Sequence, residues 1–407
     1  MNVASVSWAD HLTFGEADGR LDTPEALARR VRAWREELGV GALHWRALRA
    51  RIAGRFHAAP GYEHPSQTVA RGLTWDDLAI VPAIAHSHGI RAWLYVSLFD
   101  EGWPLAPESE RAASHHNAMH GQHVSWQSEL TRCHPEWLAV DRTGTRRQQG
   151  VVSLASPQAR QAFIDRWLAL LDGTDFDGLF ICLRSQSRPP DHADQFGFNE
   201  PALDDFASRH GLSHFELTSH FKLPTSTSNF DLHTSHFQQW RDHLGTYLTT
   251  LLAELKAALP RRTALAVGCA RGDVIGPPLG NATLHWRDWV QRGLIDQLVI
   301  DQNSSQCPSM WHHLWPMHRG TGYLVNYLDP DTLPALVDHV RDTYAPILAG
   351  AATELLVARQ WHGRDGHAER ELRDIAGVTG LVFSTFRHDN PGAIARGDWR
   401  AGALRAR

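Results

Sequence analysis

Aspartates, histidines and arginines carry most of the chemistry this sequence could perform. Asp10, Asp100 and Asp301 each follow a short apolar run. A carboxylate there is costly to bury unless it is paired or used, and two that faced one another could divide acid and base work. Between 115 and 141 stand His115, His116, His120, His123 and His134, with Trp126 and Trp137 among them. Imidazole titrates near neutrality, so a histidine such as His134 can take a proton from water without a large shift. No HExxH or comparable ligand spacing accompanies these histidines, and no metal or other cofactor is expected. Arg46, Arg132 and Arg184 present planar forks of donors that match a carboxylate or phosphate, although a nearby aspartate would satisfy each of them equally well.

Groups so scattered along the chain need a scaffold that gathers them. Short β-rich runs alternate with helical segments from end to end, the pattern of βα units around a parallel sheet. Nine runs qualify as strands: 2–8, 41–45, 90–98, 178–183, 263–269, 296–301, 322–328, 353–361 and 380–386. Eight close a TIM-type (β/α)8 barrel, so either 322–328 or 353–361 is expected outside it. Helix signals lie between the runs. Thr23 and Pro24 start one, Leu27, Val31, Trp34 and Leu38 recur along it, and Gly39 ends it. Ser156 and Pro157 repeat the start signal, and the aromatic and leucine stripe of 236–259 has helical core spacing.

The third and fourth strands are followed by long insertions, 99–154 and 184–235, where such barrels keep their sites. The rim read from the strand ends holds Asp10, His11, Arg46, Asp100, Glu101, Arg184, Gln186, Arg271, Asp273, Asp301, Gln302 and Asn326, and from it His11, Gln186 and Asn326 are expected to touch substrate.

The chain has 407 residues, of which 43% are hydrophobic and 21% charged, and carries a formal charge of -5. That suits one large folded domain spanning 1–407 and gives no electrostatic footprint for nucleic acid or an anionic membrane. The four cysteines are widely spaced and expected to be free thiols. Without a basic n-region and apolar segment at its start, the sequence reads as cytoplasmic, with secretion or a periplasmic place left open. A homodimer is left open too.

One resemblance sharpens this reading. "CHPEWLAVDRTGTRRQQGVVSLASPQARQAFIDRW", "FDGLFICLRSQSRPP" and "ADQFGFNEPALDDFASRHG" resemble the family-10-like glycoside hydrolase barrels, in which an HPEW loop precedes a DGIHLD strand and a GFN segment. Cys182 stands where that strand carries its carboxylate. The departure fits the exo-sialidases of glycoside hydrolase family 156, similar barrels that invert the anomeric centre with an Asp and a His. The resemblance implies Asp10 as acid and His134 as water-activating base, exchangeable in role. Arg184, Arg132 and Arg46 would hold the sugar's carboxylate, and Trp103, Trp126 and Trp137 would line its apolar face. The substrate implied is a sialylated glycan or a small sugar. A glycosidase for neutral sugars using Asp10 with Asp301 or Asp100, or a non-catalytic sugar-binding barrel, would fit the same rim.

Overall fold

The computed structural model describes residues 1–6, 11, 21, 23–61, 63–64, 66–67, 75–104, 124–141, 144–183, 196–212, 235–273, 282–302, 334–360 and 367–384. Thirteen strands lie among them: β1 (Asn2–Val6), β2 (Val40–Arg46), β3 (Phe56–Ala58), β4 (Arg91–Ser97), β5 (Gly102–Pro104), β6 (Val124–Ser128), β7 (Leu138–Val140), β8 (Arg147–Val152), β9 (Gly178–Cys182), β10 (Ala264–Gly268), β11 (Gln297–Ile300), β12 (Glu354–Gln360) and β13 (Val378–Ser384). Eight of these close a parallel barrel in the order β1-β13-β12-β11-β10-β9-β4-β2. The fold is a (β/α)8 barrel. The expected strand 353–361 is β12, while 322–328 lies outside the described residues.

The helices are α1 (Pro24–Leu38), α2 (Asp77–Ser87), α3 (Glu129–Cys133), α4 (Pro157–Leu171), α5 (Glu200–His210), α6 (Ser235–Ala258), α7 (Trp286–Gln291), α8 (Leu336–His339), α9 (Ala345–Leu348) and α10 (His367–Asp374), with a π-turn over Val340–Tyr344 between α8 and α9. Local chemistry sets their ends. Thr23 accepts a hydrogen bond from Ala26 N, Pro24 opens α1, and Gly39 closes it at φ 61, a left-handed conformation that costs a Cβ-free residue little. Ser156 caps α4 in the same way.

Two apolar layers hold the barrel. Inside it pack Val3, Ala42, Trp93, Tyr95, Phe180, Cys182, Ala266, Val299, Leu356, Ala358 and Val382. Outside, helix faces meet the strands: Leu27, Val31, Trp34 and Leu38 of α1 and Trp240, Leu244, Leu248, Leu251 and Leu255 of α6 are all buried. Each such large side chain contributes about 1.5–3 kcal/mol by leaving water.

The insertion after β4 holds more structure than its sequence suggested. β3, β6 and β5 form one antiparallel sheet and β7 with β8 another. Strands of three to six residues are too short for alternation to declare them. Glu101, buried, ties this insertion to α4 through two hydrogen bonds from Arg166, at 2.8 and 2.6 Å.

Candidate functional site

The C-terminal ends of the barrel strands form a polar mouth above the apolar interior. Arg46, last residue of β2, is buried there. Its Nη2 donates to Asp100 Oδ2 at 2.9 Å, and its guanidinium carbon lies 4.9 Å from the centre of the Tyr95 ring. Burial works against the charge, but Tyr95 and Asp100 outweigh it and push the Arg46 pKa up. Among the described residues, Nη1 of the same guanidinium is buried without a hydrogen-bond partner. Beside Arg46 lies Cys182, fully buried at the end of β9.

Expected as a substrate-binding residue, His11 has neither ring nitrogen to offer. Arg49 Nε donates to its Nδ1 at 2.9 Å, which puts the ring hydrogen on Nε2, 3.0 Å from the Arg46 carbonyl oxygen. Burial, reinforced by Arg49, pushes its pKa well below the ordinary histidine value. It is a neutral brace between the chain after β1 and the end of β2.

His134 terminates α3 in the insertion. Its Nδ1 is 2.9 Å from Glu136 Oε1 and its ring lies parallel to Trp137, with centroids 3.9 Å apart. With Nδ1–H donating to Glu136, Nε2 is left to accept a proton, and the side chain is 44% exposed, so water reaches it. Arg132 stands two residues earlier, and it donates Nε and Nη2 to Glu129 at 2.9 and 2.6 Å. Its fork pairs within α3, with the side chain 48% exposed. Trp126 is buried edge-on to Phe56 and His64, so it serves the insertion's own core in place of the expected sugar platform.

Across the mouth, Asp301 directly follows β11 with φ 61, and it is buried. Arg271 Nε is 3.5 Å from Oδ1 and Arg359 Nη1 is 3.7 Å from Oδ2. Arg359 also donates Nε to Glu369 at 2.8 Å. Burial raises the Asp301 pKa more than the two guanidiniums lower it. Gln302 follows, its side-chain oxygen filling the space over Gly268 where any Cβ would overlap it, and among the described residues that oxygen is buried without a partner. Tyr344, in the π-turn, steadies the Arg271 segment: its hydroxyl accepts from Gly272 N at 2.7 Å while its ring stacks on Trp286 at 4.6 Å.

Asp10, Arg184, Gln186 and Asn326, with His115, His116, His120 and His123, lie outside the described residues. The structure thus brings together Arg46, His11 and Asp100 on one side and Arg271, Asp301 and Gln302 on the other. Arg359, Glu369 and Tyr344 were not singled out from sequence. Arg359 alone left a signal, a charged residue near the end of the apolar run 353–361. Among the described residues no group of three or more His, Cys, Asp or Glu is placed to hold a metal ion, and no helix is long and apolar enough to cross a membrane. Cys133, Cys182 and Cys269 are free thiols.

No protein-family model matches the sequence, and no curated protein matches it. Solved structures do align with the chain. A family-36 α-galactosidase from Geobacillus stearothermophilus, solved with raffinose, is 11% identical over 99% of this chain and 42% of its own, with a TM-score of 0.41. A β-galactosidase from the psychrophilic Marinomonas ef1 is 12% identical over 98% of this chain and 59% of its own, TM-score 0.43. The glycoside hydrolase domain of PgaB from Bordetella bronchiseptica is 12% identical over 98% of each chain, TM-score 0.44. The chain spans about two fifths of the α-galactosidase (42%) and three fifths of the β-galactosidase (59%).

Proposed function

We propose that the protein is a glycoside hydrolase working at the C-terminal mouth of its barrel on a sugar that carries a carboxylate, an exo-sialidase of the inverting kind. The observation that carries this reading is Arg46, a buried guanidinium with one arm spent on Asp100 and the other, Nη1, left without a partner among the described residues. An unsatisfied buried donor costs about 1–3 kcal/mol, more when it is charged, and a ligand carboxylate would remove that cost. A neutral sugar lacks that anion, so the same arginine that attracts an ionised sugar discriminates against others.

His134 has the geometry of a base: an oriented ring, one nitrogen engaged by Glu136, on a side chain 44% exposed. Inversion asks one group to take a proton from the attacking water and a second to protonate the leaving oxygen from the opposite face. The sequence resemblance puts Asp10 beside His134 in that pair.

The test is release of a chromogenic aglycone from an α-linked sialoside, with glucoside, galactoside and xyloside run beside it, each with and without chelator. Turnover of the sialoside alone, indifferent to chelator, is the expected result. Arg46→Lys keeps the charge but loses the fork, and it should lower kcat/KM for the sialoside by at least about tenfold. Turnover of a neutral glycoside in place of the sialoside would return Arg46 to a structural role.

A further inference from the structure

We propose that Asp301 is the proton donor of the reaction, giving its carboxyl hydrogen to the glycosidic oxygen as the sugar leaves. The inference rests on the glycosidase reading and changes one role within it, the acid that the resemblance assigns to Asp10.

Six carboxyl residues are buried among the described residues: Asp77, Asp100, Glu101, Asp141, Asp301 and Glu369. Five are hydrogen-bonded at 3.0 Å or less. Asp77 accepts from Trp45 Nε1 at 2.6 Å, Asp100 from Arg46 at 2.9 Å and Glu101 from Arg166 at 2.6 Å. Asp141 accepts from Arg146 Nε at 2.9 Å and Glu369 from Arg359 Nε at 2.8 Å. The Asp301 side chain has no hydrogen bond among the described residues; it is ion-paired at longer range with Arg271 at 3.5 Å and Arg359 at 3.7 Å. A buried carboxyl left unbonded costs stability, and a fold that keeps one at the functional end of a barrel strand is holding it for a ligand.

The backbone agrees. Asp301 and Arg51 are the two non-glycine residues with positive φ among those described. Left-handed backbone outside glycine is held at some cost, and such residues cluster at working sites. The surroundings suit a proton carrier. Burial raises the Asp301 pKa, Arg271 and Arg359 oppose it without prevailing, Glu369 is occupied by Arg359, and the Cys269 thiol, pushed up to about 12 by burial, adds no charge. The carboxyl therefore keeps its proton above the range in which an ordinary aspartate loses it.

In the step itself, the bond between the anomeric carbon and the glycosidic oxygen breaks, its electron pair goes to that oxygen, and the Asp301 hydrogen follows. A water oxygen bonds to the anomeric carbon and passes a proton to His134 Nε2. Asp301 ends as a carboxylate between Arg271 and Arg359, which stabilise the charge that forms there and not the neutral group that precedes it. Solvent takes the proton from His134 and returns one to Asp301.

The experiment compares Asp301→Asn and Asp10→Asn on two substrates of one sugar: a 4-nitrophenyl α-sialoside, whose leaving group needs no proton, and a sialylated disaccharide, whose leaving group does. D301N is expected to lose about 10²–10⁴-fold in kcat on the disaccharide and less than about tenfold on the aryl sialoside. D10N should lose alike on both. Equal losses in D301N, or none, overturn the proposal while leaving the glycosidase reading intact. If wild type hydrolyses neither these sialosides nor the aryl galactoside and its disaccharide, the reading itself falls, and the proposal with it. Should D301N fail to fold, wild type decides: kcat/KM on the disaccharide should fall on the alkaline side while the aryl substrate shows no such fall, and a shared alkaline limb overturns the assignment.

Discussion

Arg46 with Asp100, and Asp301 with Arg271 and Arg359, answer the same problem of buried charge in opposite ways on opposite sides of one barrel mouth. On the β2–β4 side a hydrogen bond of 2.9 Å joins acid to arginine, and the arginine keeps an arm in reserve. On the β10–β12 side the acid is bracketed at 3.5 and 3.7 Å and is itself the group in reserve. A tight pair fixes a charge in place and leaves a donor for an anion. A loose bracket leaves a carboxyl free to change protonation. In the proposed hydrolysis of an acidic glycoside, the first side would hold the anion and the second would carry the proton.

The largest effect that would break this contrast is on stability. Asp100→Ala strips Arg46 of its partner and leaves a buried cation uncompensated, a change that costs about 3–5 kcal/mol. Chemical denaturation should show a loss of that size. A loss under about 1 kcal/mol would mean that Arg46 does not depend on Asp100, and the two sides would no longer differ.

Acid should separate the sides next, by sign. His44, on β2 and stacked on Phe180 at 4.2 Å, is lowered to about 3 by burial, and so is His64 beside Phe56. In the unfolded chain these histidines take protons below about 6.5, while the folded protein refuses them until about 3. Stability is therefore full above pH 6.5 and falls as pH drops, by about 2 kcal/mol for each histidine at pH 5. Asp301 runs the other way, because a raised carboxyl pKa means that the folded state gains protons first as pH falls. His44→Phe, which keeps the stack and removes the titration, should shrink the acid loss by about that 2 kcal/mol. An unchanged pH profile in this variant would show that His44 is not held neutral.

The floor between the two sides is set by Gly268, where a Cβ would overlap the Gln302 side-chain oxygen and lie 2.6 Å from the Phe180 ring. Gly268→Ala should cost about 1–3 kcal/mol and expel Gln302 from its place beside Asp301. A melting temperature equal to wild type would show that Gln302 moves aside freely and defines no floor.

What could be read from sequence follows from how far apart the interacting residues lie in the chain. The start of α1 is signalled by Thr23 and Pro24 side by side, and its end by Gly39, all within one segment, so the element is legible. The barrel follows from the alternation of such segments, and only a strand count of nine blurred it. Arg46 and Asp100 were both visible as strand-end residues, but nothing local says that they pair across 54 positions. His11 looked like a rim residue because it follows the first strand, and its two bonds to Arg46 and Arg49 appear only after β1 and β2 are laid side by side. The bracket on Asp301 is assembled from the ends of β10 and β12, and its left-handed backbone leaves no trace in residue type, since aspartate is common in ordinary turns.

The smallest stability effect is the one that sharpens the contrast most. Asp301→Asn keeps the volume of the side chain and removes an ionisable group that has no hydrogen bond to lose. Against this, Arg271 and Arg359 give up a long-range partner, but Arg359 keeps Glu369 at 2.8 Å. The amide keeps the side-chain volume and gives up only long-range attraction to the guanidiniums, so D301N should change stability by less than about 1 kcal/mol at neutral pH, against about 3–5 for Asp100→Ala. The sign also carries information. Because burial outweighs the two arginines in raising the Asp301 pKa, wild type bears a penalty for ionisation that grows as pH rises through that pKa and that the amide does not share. Denaturation of the two proteins at several pH values should therefore find D301N gaining on wild type toward alkaline pH. If D301N falls behind as pH rises, Asp301 is stabilised by its arginines as Asp100 is by Arg46, and the two sides of the mouth are one design.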